Sequence, residues 1–131
     1  MDISIIKGKI KLKGKQASCE VGEGVVITRP DNTNFVIDGF GEFEAGGISI
    51  VASLGVTVVE IEGLRICVLE GAAENLPTDS IDITVSANLE LAKKTDPWVV
   101  ITTGAEGAPK YSISKDKLPS DLQVVVLSSK E

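Results

Sequence analysis

Ile81-Asp82-Ile83-Thr84-Val85 alternates apolar and polar residues, Ser86 follows it, and after residues 87–95 Asp96-Pro97 leads into the apolar run Trp98-Val99-Val100-Ile101-Thr102. Alternation of period two predicts a strand. Ser86 is a residue type that caps helices, and Glu90 and Lys94 stand four apart, so a short helix is predicted from Ala87 to about Thr95, ended by Pro97. Strand, helix and strand in that order form a β-α-β unit, whose two strands are parallel and joined by a right-handed crossover. Trp98 to Thr102, and further on Leu122 to Leu127, are apolar at nearly every position, which predicts two central strands covered on both faces.

Outward from this unit the chain reads as about ten short strands punctuated by Gly, Asn, Asp and Pro. Asp2 to Ile6, Lys9 to Lys13 and Gln16 to Val21 come first, with Gly14-Lys15 turning the second into the third. Val25 to Thr28 is ended by Pro30-Asp31-Asn32, because Pro cannot donate to a ladder and Asp and Asn favour turns. Asn34 to Ile37 follows, then a bend at Gly39 and Gly41, then Phe43 to Glu44, Ile48 to Ala52 and Val56 to Ile61. Glu62-Gly63 turns the last of these into Leu64 to Leu69, the clearest hairpin in the chain. No repeat, low-complexity tract or linker interrupts residues 1–131, so a single domain is expected.

Composition narrows the chemistry. The 131 residues carry 13 Lys and Arg against 19 Asp and Glu, a net charge of −6, and no histidine. Without imidazole there is no Ser-His or Cys-His nucleophile pair and no His-ligated metal. Cys19 and Cys67 form no CxxC pair, so neither a thioredoxin-like motif nor a thiolate zinc site is expected, and both should be buried, reduced thiols. The acidic balance and the few aromatic residues argue against a nucleic-acid partner. No run approaches the roughly 18 apolar residues of a membrane span, and Met1 to Lys7 lacks a signal-peptide core, so a cytoplasmic protein with no membrane partner is expected.

Three segments resemble the metallo-β-lactamase-fold hydrolases, in particular the small bacterial zinc-dependent hydrolases that include lactonases. Val36-Ile37-Asp38-Gly39-Phe40-Gly41-Glu42-Phe43-Glu44-Ala45-Gly46-Gly47-Ile48-Ser49-Ile50 resembles that family's strand-turn-strand reading VIDGPGEYEVKGVSI. Ile61-Glu62-Gly63-Leu64-Arg65-Ile66-Cys67-Val68-Leu69 resembles its hairpin IDGLRICHL. Ile81 to Gly104 is similar to its strand, helix and following strand, and Ser112 to Pro119 with Gln123 to Leu127 is similar to its C-terminal end. The resemblance implies a mostly β fold with minor α, of the α+β class: a reduced two-sheet β sandwich with one or two short helices. The family's metal motifs are absent. Its His-x-His-x-Asp-His motif would fall on Thr28-Arg29-Pro30-Asp31-Asn32-Thr33, its hairpin His on Val68, its bridging Asp near Gly71 and its last His on Gly104. No metal, cofactor or catalytic residue transfers, and the chain reads as shorter than family members around residues 22–34 and 52–56.

Other residues offer weaker chemistry. Lys7, Lys9, Lys11, Lys13 and Lys15 alternate, so one continuous strand would set all five on a single face, either to dock an anionic partner or to keep an edge strand soluble. Asp38, Glu42 and Glu44, joined by Glu70 and Glu74, are candidate oxygen ligands for Mg²⁺ or Ca²⁺, although carboxylates on alternate strand positions more often mark a solvated face. Gly39, Gly41, Gly46 and Gly47 lead from strand to strand and fit tight turns better than a phosphate cradle. Ser49, Ser53, Thr102 and Thr103 would need a Lys or carboxylate base, and Trp98 reads as a core or subunit-interface anchor. The expectation is a pseudo-enzyme without cofactor that acts as a structural or regulatory binding module. If α layers are missing, self-association, most simply as a homodimer, would cover the bare sheet. The alternatives are a hydrolase of altered, carboxylate- and Mg-assisted mechanism acting on a lactone or phosphoester, and a small-ligand sensor.

Overall fold

Alternate residues are buried along each of the first four strands: Ile3 and Ile5 in β1 (Asp2–Ile6), Ile10 and Leu12 in β2 (Lys9–Lys13), Cys19 and Val21 in β3 (Ser18–Val21), Val25 and Ile27 in β4 (Val25–Thr28). One face of the resulting antiparallel meander is therefore apolar, and β5 (Asn34–Ile37) extends it by pairing with β4. The computed structural model describes residues 1–71, 76–77 and 80–130. On its far side β1 is paired by two late segments, β12 (Tyr111–Ser112) antiparallel and β14 (Ser129–Lys130) parallel, which completes the first sheet.

The second sheet has the order β13-β11-β10-β9-β8-β7-β6. Its antiparallel half is β6 (Gly41–Ala45), β7 (Ile48–Ser53), β8 (Val56–Ile61) and β9 (Leu64–Leu69). Its parallel half continues from β9 through β10 (Ile83–Val85) and β11 (Val99–Ala108) to β13 (Gln123–Leu127). The hairpin between β8 and β9 turns on Glu62 (φ 52°) and Gly63 (φ 79°), both left-handed, the geometry that matches the twist of paired strands. Lys7 (φ 53°) and Gly8 (φ 78°) repeat it between β1 and β2. The inner faces of the two sheets share one core, in which Ile3, Leu12 and Ile27 of the first meet Ile50, Ile66, Ile83 and Ile101 of the second. On the outer face of the second sheet, Val56, Val58, Cys67, Leu69 and Ile81 pack with Leu76 and with Leu91 of the helix α1 (Leu89–Lys93). With one 3₁₀ turn at Lys115–Lys117, this is the expected two-sheet, mostly β architecture.

Four details differ from the sequence reading. The helix is shorter than Ala87 to Thr95, because Asn88 takes the cap: its Oδ1 accepts the Leu91 N–H, and the Ser86 Oγ accepts the Asn88 N–H. The run Leu122 to Leu127 is not central. β13 ends the sheet order, and only one of its faces meets the core, leaving Leu122, Val124 and Val126 exposed. Trp98 is also 46% exposed, whereas Val99, Val100 and Ile101 behind it are fully buried as expected. Finally, β2 lies inside its sheet between β1 and β3, so its lysines do not guard an edge, and only Lys9, Lys11 and Lys13 share its outer face. Lys7 sits in a left-handed turn and Lys15 lies beyond the strand.

Cys19 and Cys67 are buried on facing sheets, and burial pushes both thiols up to about 12. The thiolate is the nucleophile, so neither sulfur should react with a thiol reagent at neutral pH until the protein unfolds. Rapid stoichiometric labelling of either one in the native state would contradict this.

Candidate functional site

β9, β10, β11 and β13 run in the same direction, so their C-terminal ends open together at one end of the sandwich, where the first sheet contributes the tips of β1, β2 and β3. Between the sheets at this end lies a cleft of about 360 Å³. Its walls are Ile5, Ile10 and Val21 from one side and Val68, Val85 and Ile101 from the other, with Glu70, Ser86, Thr102, Thr103 and Ser129 as its polar groups. Glu70 also borders a second hollow of about 340 Å³ farther along the same opening, bounded by Glu23, Asp38, Phe40 and the Ser53-Leu54-Gly55 turn. The ends of parallel strands are where ligands of such sheets ordinarily bind.

The chemistry available there is limited. The Ser86 hydroxyl is buried and engaged with the Asn88 amide, and Thr84 and Thr95 share a 2.6 Å hydrogen bond below it. Thr102 and Thr103 reach the cleft, but among the described residues no lysine lines it. Of the other hydroxyls singled out in the sequence, Ser53 donates to the Val56 carbonyl, and Ser49 lies in a separate groove on the outer face with Glu42, Glu44, Glu60 and Arg65. The carboxylates do not converge: Asp38 and Glu70 border the opening, and Glu42 and Glu44 lie on that outer groove. Among the described residues no group of three or more His, Cys, Asp or Glu is placed to hold a metal ion. Glu74 lies outside the described residues. Gly39 and Gly41 form the corner into β6, and Gly46 (φ 58°) and Gly47 (φ 82°) form the β6–β7 turn, so these glycines serve chain reversal.

The positions matched to the family's metal motifs are not all brought together. Val68 lines the cleft, Gly71 follows just beyond β9, and Gly104 follows Thr103 at the same end. Thr28 to Thr33 instead form the β4–β5 turn at the opposite end, where Arg29 packs beside Gly46. That turn is self-contained: the Asp31 carboxylate accepts from the Thr33 N–H (3.0 Å) and hydroxyl (2.6 Å), which holds its pKa below the usual value. At Gly104 a Cβ would come within 2.7 Å of Val126 Cγ1, so an imidazole there would have to displace Val126.

Sequence reasoning missed one buried charge. Asp82 is 4% exposed, and its carboxylate accepts from Lys115 Nζ at 3.0 Å on both oxygens and from the Arg65 N–H at 2.9 Å. It ties β9 to the distant 3₁₀ turn and faces no cavity of the opening. In an alternating strand an Asp reads as a solvated position, and nothing local announces a lysine 33 residues away.

No family profile matches the chain, and no curated protein does. The fold is similar to the crystal structure of a protein from Thermotoga maritima provisionally assigned as a Zn-dependent hydrolase of the metallo-β-lactamase superfamily. The TM-score is 0.59 at 15% identity, and the match covers 98% of this chain and 99% of that one. The fold is therefore metallo-β-lactamase-like.

Proposed function

We propose that this chain is a non-catalytic, metal-free version of that fold, a structural or regulatory binding module that associates with a second copy of itself. The observation that carries the reading is the outer face of the second sheet beyond the helix. Val124 and Val126 stand opposite Val100 and Thr102 in register, and Trp98 and Leu122 sit at the start of the same two strands. These four side chains are 41–46% exposed and form one apolar patch that α1 does not cover. Its exposed area is on the order of 400 Å², a size that on soluble monomers is often functional. A stable two-fold contact buries about 800 Å² per partner, which such a patch supplies as a core with a polar rim around it. Tryptophan is among the residues that most often dominate contacts of this kind.

A cytoplasmic setting, with no membrane or nucleic-acid partner, fits the acidic surface; among the described residues no helix is long and apolar enough to cross a membrane. The small-ligand alternative draws support from the 360 Å³ cleft, which falls in the size range of small-molecule sites. Sedimentation equilibrium tests the main reading. The chain should sediment at no less than twice 13.8 kDa at micromolar concentration, and Trp98→Asp with Val124→Asp should reduce that mass. A 13.8 kDa monomer without concentration dependence would overturn self-association.

A further inference from the structure

Phe40 and Leu54 are 68% and 81% exposed, the two most exposed large apolar side chains among the described residues. Both stand on turns at the open end of the sandwich. Leu54 caps the tight β7–β8 hairpin beside Gly55 (φ 74°), and Phe40 lies in the corner between β5 and β6. Neither is packed into the core, so the fold gains little from them there. They border the same 340 Å³ hollow as the exposed carboxylates Asp38 and Glu23. The other half of the opening has the reverse character. It is the apolar cleft of about 360 Å³, and the exposed Lys7 and Lys130 adjoin its lining residues Gly8 and Ser129, with the Lys7 N–H donating to the Lys130 carbonyl.

One end of the molecule thus carries an acid-flanked apolar projection and a base-flanked apolar hollow side by side. A two-fold contact needs both halves of a complementary pair on one surface, because each copy uses the same patch. A two-fold axis lying in the surface of the open end, across the strands and along the boundary between the halves, brings projection to hollow twice. We propose that the open end is a self-docking surface: Phe40 and Leu54 of each copy enter the cleft of the other, with Asp38 and Glu23 opposite Lys7 and Lys130. Glu70 borders both halves and so lies near the axis, where it meets its own copy. That like-charge contact opposes the pair. The open end is distinct from the Trp98 patch on the outer face, so the two contacts together build an assembly larger than a dimer.

The experiment uses the Trp98→Asp/Val124→Asp chain, in which the outer-face contact is removed, and follows its association by sedimentation over a range of concentration. This chain should still dimerise. Adding Phe40→Ser and Leu54→Ser should weaken the dimer at least tenfold, as should Lys7→Glu alone. Adding Asp38→Lys to Lys7→Glu should restore much of the loss, and Glu70→Gln should tighten the dimer. All of these positions are exposed, and circular dichroism checks that each variant is folded. A monomeric Trp98→Asp/Val124→Asp chain, or a dimer indifferent to Phe40 and Leu54, overturns the proposal. A Trp98→Asp/Val124→Asp chain that keeps the full wild-type mass overturns the outer-face reading instead and leaves this one standing.

Discussion

Ile101→Ala should lower the unfolding free energy by about 2–5 kcal/mol, read as a fall in the urea midpoint with an unchanged slope. Ile101 is fully buried in β11, lies between Val85 and Val125 in register, and faces the shared core of the two sheets. Truncation removes three carbons and leaves a space that strands hydrogen-bonded on both sides cannot close. Val124→Ala, one strand away, is the control. That side chain is 44% exposed, so its truncation should cost less than about 1 kcal/mol in the monomer. Equal losses at the two positions would mean that β13 is as enclosed as β11, contrary to the sheet order.

Asp82→Ala should be comparably damaging, at about 2–4 kcal/mol, although it deletes no apolar contact. The loss arises from what stays behind. The Arg65 N–H would be left without its acceptor, and the 3₁₀ turn would lose the lysine anchor that holds it to β10. Asp82→Asn keeps an oxygen for the Arg65 amide and should recover part of the loss. Lys115→Ala tests the pair from its other side. The lysine is 57% exposed and can return to water, but the carboxylate it leaves is 5% exposed and would keep only the amide. Urea midpoints in the order wild type, Asp82→Asn, Asp82→Ala are expected; an Asp82→Ala chain as stable as wild type would show the tie to be idle.

The β-α-β unit was legible because three independent signals agreed: alternation through Ile81 to Val85, a polar cap region, and Pro97 before an apolar run. The Glu62-Gly63 hairpin was legible from its turn pair alone. Leu122 to Leu127 was misread for a physical reason. Consecutive apolar residues predict cover on both faces, but β13 ends its sheet and one of its faces stays exposed, which no local pattern encodes. The lysine ladder failed on backbone geometry, since the turn at Lys7-Gly8 breaks the alternation before β2 begins. The candidate site was least legible. With no imidazole to fix the alignment, Thr28 to Thr33 were matched by neighbouring strands alone, and the fold sets them at the end away from Val68 and Gly104. Phe40 and Leu54 were visible as residues, but their exposure comes from tertiary placement that no local pattern encodes.

β1 has a consequence for how the molecule is made. Its inner neighbour β2 is two residues away, but its outer side is occupied by β12 and β14, and the bonds that seal it join residues 110 and 112 positions apart. The meander β1 to β5 can form early from local hairpins, yet its first strand keeps an open edge until β12 and β14 reach it. Pairings of such long span are slow to form, because loop closure must precede the contacts that reward it. The segments β12 and β14 therefore act as a latch: the early sheet waits, unpaired on one side, for residues far along the chain. A chain cut short before Ser129 would lose part of the closure of β1, and the damage would appear at Ile5 and Ile6, far from the cut in sequence.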